Sequence, residues 1–355
     1  MTRTNTHFKK IHDVVKQLEF FWQNPIDINN TETNTLFVGS STNTFLPKLA
    51  DISEEGKHYY TIQPCIKTHN LKLYRMAQLN KQFDNLNLYY KSFFQMFGTI
   101  KKGCLTENDI EKYFYILNKL YNIEDNGIVL VTSKKFEQFK KILEGSKIVK
   151  KLIFPNDENL TKWSYGLNHL SGSAIIAYTK RDETLLTLFD IVEIIDKKTN
   201  TNYVEFCFGI DNIDEDMNSF YYNFGVEVKT ISYVEFIFYD SLIIVCELFL
   251  MGIGLPIWSY DYQKSHVFKR YIKYLIASKS KLKYSDEVMY RYIETYFEKN
   301  FTKIDIEKVR LYETIKQVEK NMKVSEIRFK KYSTEKKLTE KNLAKIEYDF
   351  GVIRI

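Results

Sequence analysis

The sequence predicts an α+β fold, an antiparallel sheet flanked by helices and followed by a C-terminal helical appendage. Three observations carry this. Runs rich in Tyr, Phe, Ile and Val recur between residues 57 and 240. Most of their connections are short enough to be hairpins or loops, which favours antiparallel pairing. From residue 264 onward apolar residues recur at helical spacing instead. With 355 residues, 44% of them hydrophobic, the chain can bury a large core. The expected division is a body over 1–260 and a basic helical domain over 261–355.

In chain order, Phe8, Ile11, Val14, Val15, Leu18 and Phe21 or Trp22 predict a helix over 7–22. "NTLFVGS" reads as a short strand and "KHYYTIQPCIKT" (57–68) as a second. Residues 69–85 are polar and read as a loop. "LNLYYKSFFQMFG" (86–98) is a third strand, and Thr106 is the expected N-cap of the next helix. "GIVLVTS", a helix over 134–143 and "KIVKKLIF" form a β-α-β unit. Strands are then expected at "SAIIAYT", "TLLTLFDIVEII", "NYVEFCFGI" and "VEVKTISYVEFIFYD". Helices follow over 264–279, 285–299 and 303–346.

Composition narrows the class. The four cysteines (Cys65, Cys104, Cys207, Cys246) form no C-x-x-C pair and read as small core residues of a reducing, cytoplasmic protein. "SLIIVCELFLMGIGLPIW" (241–258) is interrupted by Glu247 and reads as buried core, not as a membrane span. No metal site is expected; the acidic turn "DNIDED" (211–216) reads as an exposed loop. Charge is uneven: residues 264–345 hold 22 Lys/Arg and 11 Asp/Glu, whereas the remainder holds 29 against 34. A basic helical end on a slightly acidic body implies an anionic macromolecular partner, with a solvated helical face as the alternative.

Several segments, in order, resemble the catalytic core of alanyl-tRNA synthetase, a class II synthetase. "LFVGSSTNTF" (36–45) is similar to L-F-T-N-A-G-M-x-Q-F. "QPCIKT" (63–68) is similar to the Q-x-C-[IV]-R strand of motif 2, and "SFFQMFG" (92–98) to its closing T-F-F-E-M-L-G strand. "KWSYGL…SGS" (162–173) resembles N-F-W-x-M-G…G-P-C-G-P, "TLFDIVEI" (187–194) resembles E-I-W-N-[IL]-V-F, and "GIGL" (252–255) resembles the G-M-G-L-E-R of motif 3. The resemblance spans residues 8–258 and rests on their common order. It implies a six- or seven-stranded antiparallel sheet that binds ATP, with Mg possible, activates an amino acid and passes it to tRNA.

Carried over residue by residue, the resemblance makes Lys67 the catalytic cation on the phosphates. It makes Lys67, Phe94, Gln95, Gly252 and Gly254 the nucleotide-binding set, and Trp163, Asp190 and Gly172 the amino-acid-binding set. Departures are as informative. Lys67 replaces an arginine and loses its bidentate fork. The motif 3 arginine position is Ile257, and Leu250 replaces an aspartate, while Asp190 brings a carboxylate to the opposite strand. Lys101 and Lys102 are candidates to compensate, with a solvated turn as the other reading. Losing one preorganised donor costs on the order of 3 kcal/mol in such chemistry. Two readings follow. One is a diverged adenylate-forming ligase acting on an amino acid and on tRNA or an acidic carrier protein. The other is a pseudoenzyme that binds without making adenylate.

Overall fold

The computed structural model describes residues 8–29, 35–52, 54–80, 82, 90–120, 127–164, 167–181, 184–213, 223–226, 231–255, 262–301, 305–336, 340–349 and 351–355. The chain divides into two compact units. One comprises Asn5–Cys65 and Phe94–Asn218 and carries the sheet. The other comprises Met1–Thr4, Ile66–Phe93 and Ser219–Ile355 and is helical.

The sheet has nine strands among the described residues: β1 (Phe21–Trp22), β2 (His58–Ile66), β3 (Phe93–Lys102), β4 (Ile128–Thr132), β5 (Val149–Ile153), β6 (Lys162–Trp163), β7 (Leu170–Arg181), β8 (Thr184–Asp196) and β9 (Thr201–Gly209). Their order is β1-β2-β3-β9-β8-β7-β4-β5, with β6 on β7. The pairs from β3 through β9, β8 and β7 to β4 are antiparallel. The sheet is nonetheless mixed, because β1 runs parallel to β2 and β4 parallel to β5. The β4–β5 crossover is the expected β-α-β unit, bridged by a 3-10 turn (Lys134–Phe139) and a helix (Lys140–Gly145).

Cross-strand partners share a face. Gly98, Cys207, Asp190 and Ile176 make one row of the front face, and Ile100, Glu205, Val192 and Ala174 the next. A third row runs through Lys102, Tyr203, Ile194, Gly172 and Trp163. The front is covered by α2 (Thr42–Phe45) and a 3-10 turn over Leu46–Asp51, whose Phe45, Leu49 and Ile52 pack on Ile100, Val192 and Tyr203. Phe97, Phe206, Phe208, Ile191 and Ile175 face the back, against α1 (Lys9–Gln17) and α4 (Glu107–Leu120).

At the start of α4, Asp109 Oδ2 accepts from Thr106 N at 2.8 Å and Thr106 Oγ1 at 2.6 Å, while Thr106 Oγ1 accepts from Asp109 N at 3.3 Å. Thr106 is thus tied into the N-terminal turn as its sequence position implies. Asp109 also pairs with Lys101 and lies 3.1 Å from His58 Nε2. Burial opposes its ionisation, but these bonds prevail and hold its carboxyl well below the usual range.

In the helical unit, α3 (His69–Asn80) occupies the segment read as a loop. Its buried Leu71, Tyr74, Ala77 and Gln78 make one helical face under a polar average that hides it. A larger correction concerns "VEVKTISYVEFIFYD". Its last part is not a strand but the start of α7 (Tyr233–Leu250). Ser232 Oγ accepts from Glu235 N, and the Glu235 carboxylate accepts from Ser232 N at 2.8 Å, a reciprocal cap that starts the helix. α7 is apolar nearly all round and buried through Leu248. It packs with α8 (Tyr262–Lys281), α9 (Asp286–Asn300) and α10 (Asp305–Lys336). α11 (Glu340–Asp349) packs on α3. Among the described residues no helix is long and apolar enough to cross a membrane.

Candidate functional site

The segment Ser41–Thr44 is fully polar up to Phe45, yet it is buried. Three contacts explain why it folds down onto the sheet. Ser41 rests on Gly98, where a Cβ would stand 2.1 Å from Ser41 Oγ. Ser41 N donates to Met96 Sδ at 3.4 Å. Thr44 Oγ1 donates to Gln63 Oε1 at 2.6 Å, and Gln63 in turn joins Ile26 N and O. Gln63, the first residue of the motif-2-like segment, therefore acts here as a buried bracket between chain segments.

Beneath this segment lies Glu205, in the middle of β9 and 1% exposed. Its Oε1 accepts from Thr42 Oγ1 at 2.7 Å and, more weakly, from Ser41 Oγ at 3.4 Å. Burial raises its pKa to about 7; the two hydroxyls pull it down and the field of Asp190 pushes it up. A carboxyl that titrates near neutrality can hold or release a proton as a ligand arrives. Asn43, wholly buried beside Thr42, has no hydrogen-bond partner on Nδ2.

The expected site residues distribute as follows. Asp190, Gly172 and Trp163 share the front face with Glu205, and Trp163 packs against the cluster of Phe45, Val192 and Tyr203. Phe94 has the same strand parity as Met96 and Gly98 and so belongs to the front. Gln95 has the opposite parity and lies on the Phe97 side, so neighbours in sequence are parted by the pleat. Gly172 is required sterically: a Cβ there would come within 2.5 Å of Glu193 O. It also lines a cavity of ≈ 340 Å³ with Ser133, Glu158, Lys162 and Ser173.

Lys67, Gly252 and Gly254 belong to the helical unit. Lys67 is exposed just beyond β2 and its N donates to Ser92 O at 2.8 Å. Gly252 has φ +75° and terminates α7, with Gly252 N donating to Phe249 O at 2.9 Å and Ile253 N to Leu248 O at 3.1 Å. That helix end is a sufficient physical reason for this glycine. Gly252 and Gly254 line a cavity of ≈ 560 Å³ with Phe249, Phe268 and Arg310. The motif-3-like segment thus leaves a helix, where the resemblance implies a strand. Ile257 and the acidic turn beyond Ile213 lie outside the described residues.

Lys101 is not a solvated turn residue and is not available to a phosphate. It is 4% exposed and paired to Asp109. Cys65, Cys207 and Cys246 are buried as expected, but Cys104 is exposed, its Sγ 3.0 Å from the donor Asn202 Nδ2. No group of three or more potential ligands for a metal occurs among the described residues. Sequence reasoning missed Glu205 and the hydroxyls that hold it. The available signal was an acid at the inward parity of an apolar strand, between Tyr203 and Cys207.

No family model matches the chain, and no curated protein matches it. Among solved structures, it is similar to apo histidyl-tRNA synthetase of S. aureus, with a TM-score of 0.35 and 9% identity over 58% of this chain and 67% of that chain.

Proposed function

We propose that this chain is a diverged class II synthetase-like protein that binds an amino acid on the front face of its sheet. ATP and Mg are its cosubstrates, and the product is an aminoacyl adenylate passed to an anionic acceptor. The observation that carries the reading is the joint placement of Asp190, Glu205, Trp163 and Gly172 on one sheet face, under a polar segment similar to the family's L-F-T-N segment. In this reading Asp190 holds the substrate ammonium, and Trp163 and Gly172 bound its pocket. Glu205, the neighbouring carboxyl, gives up its proton as the cation enters. Lys67, Phe94 and Gln95 remain the assigned nucleotide contacts, with Gly252 and Gly254 beside them.

The test is amino-acid-dependent pyrophosphate exchange across the standard amino acids. One or a few substrates are expected to give exchange, abolished by Asp190→Asn. Exchange that is unchanged in that variant would sink the assignment of the ammonium site.

A second reading, a pseudo-synthetase that binds but does not activate, is favoured by Lys101. Its charge is committed to Asp109, so it cannot compensate for the missing motif 3 arginine. Amino-acid binding without exchange under any condition selects this reading.

A further inference from the structure

One face of α8 carries an unusual set of side chains. At 100° per residue, Tyr262, His266, Lys269, Arg270 and Lys273 fall on a single stripe. Lys279, on the opposite side of the helix, is neutralised twice, by Asp286 at 2.6 Å and Glu319 at 3.5 Å. By contrast, none of Lys269, Arg270 and Lys273 has a carboxylate within 4.0 Å. They crowd one another instead. Burial and then the fields of Lys269 and Arg270 bring Lys273 down to about 8, and the Lys273 ammonium donates only to Gly351 O at 2.8 Å. A folded chain that keeps like charges together without counter-charges carries a standing repulsion that a polyanion relieves.

The end of the stripe selects the kind of polyanion. Tyr262 is 64% exposed, and its ring stands edge-on to His266 with centroids 4.2 Å apart. An exposed aromatic pair leading into a row of cations is the pattern of single-strand binding surfaces, where bases stack and phosphates track the positive groove. From His266 to Lys273 the helix rises about 10.5 Å. That matches roughly three successive phosphates of one strand. An acidic peptide has no use for the aromatic end.

We infer that the Tyr262–His266–Lys269–Arg270–Lys273 face of α8 binds a single-stranded stretch of RNA, with a base on Tyr262 and His266 and consecutive phosphates on Lys269, Arg270 and Lys273. The choice of RNA rests on the proposed function, in which an anionic acceptor receives the aminoacyl group. The surface itself rests on α8 alone.

The experiment is fluorescence anisotropy of the full chain with a labelled 12-residue oligouridylate over a range of salt. The wild type should bind it more tightly than a blunt RNA duplex of equal length. Replacing Lys269, Arg270 and Lys273 together by Ala should weaken binding about a hundredfold at moderate salt and lower the log–log salt slope by about 2. Tyr262→Ala should weaken it about tenfold with the slope unchanged, because stacking is not a counterion effect. Lys330→Ala with Lys331→Ala, on exposed positions of α10, is the control for net charge. Circular dichroism and thermal melting establish that each variant folds. Equal loss in control and stripe variants overturns the inference, as does preference for the duplex or equal displacement by polyglutamate. Pyrophosphate exchange needs no RNA. Intact exchange without oligouridylate binding refutes the stripe alone, and binding without exchange refutes the enzyme reading alone.

Discussion

Glu205 and Asp190 lie on adjacent strands and the same face of the sheet, one step apart in register: Asp190 is opposite Cys207, and Glu205 is opposite Val192. Neighbouring carboxyls in a low-dielectric layer do not ionise independently. The cost falls on Glu205, whose pKa rises to about 7 from 4.5.

That shift makes stability fall as pH rises. The folded chain binds the Glu205 proton more tightly than the unfolded chain does. The associated stability is complete below the unfolded value and is lost between about pH 4.5 and 7. The loss is about 3 kcal/mol at 1.36 kcal/mol per pKa unit. Glu205→Gln, which keeps an acceptor for Thr42 but cannot ionise, should escape it. Urea unfolding at pH 4.5 and pH 8 should show the wild type losing roughly 3 kcal/mol against this variant. Parallel pH dependence of the two proteins would mean that Glu205 is ionised throughout.

The seat of the polar segment on the sheet is a steric fit. A Cβ on Gly98 would meet Ser41 Oγ at 2.1 Å and Ser41 Cβ at 2.3 Å, but Ser41 Cα only at 3.7 Å. Gly98→Ala should therefore destabilise by about 1–3 kcal/mol, the usual cost of overpacking. Gly98→Ala combined with Ser41→Gly removes both colliding atoms and should recover most of that loss. A double-mutant cycle by urea denaturation measures it, with a coupling above about 1 kcal/mol expected. Additive single costs would place the strain elsewhere.

How far the sequence could lead is seen at particular residues. The hairpins of β7, β8 and β9 were legible because alternating apolar residues there have turns at both ends. The C-terminal helices were legible because their period is unbroken. The α7 segment was misread because β-branched and aromatic residues over 233–239 outweigh a four-residue signal, the Ser232–Glu235 cap. The mixed character of the sheet was hidden because β1 is only two residues long. At the candidate site, Asp190, Gly172 and Trp163 were found through the resemblance. Glu205 escaped because its partners Ser41 and Thr42 lie 164 and 163 residues away in the chain. No local pattern encodes that contact.

The α7 cap gives a direct check on the corrected element. Ser232→Ala removes the acceptor for Glu235 N and one partner of the Glu235 carboxylate. The expected loss is about 1 kcal/mol, and Ser232→Asp should restore most of it. A strand at this position would be indifferent to the exchange or favour Ala over Asp. Thermal melts of the three proteins at one pH decide it.

Asp240 in the middle of α7 should be the least replaceable polar residue of the helical unit. Its Oδ1 accepts from Ser92 N at 2.6 Å. Its Oδ2 accepts from Ser92 Oγ at 2.6 Å, Tyr74 OH at 2.7 Å and Asn70 Nδ2 at 3.3 Å. Tyr271 OH donates to Ser92 Oγ at 2.7 Å, which directs the Ser92 proton onto the carboxylate. Four donors on two oxygens leave no place for an amide NH₂. In Asp240→Asn, either orientation of the amide sets a donor against a donor, so the isostere should be nearly as damaging as Asp240→Ala. Each should cost about 3 kcal/mol or more, because burial of unpaired polar groups is charged in full. Urea denaturation of the two variants checks this. A mild Asn variant beside a severe Ala variant would show that Asp240 is protonated in the fold and acts as a neutral member of the network.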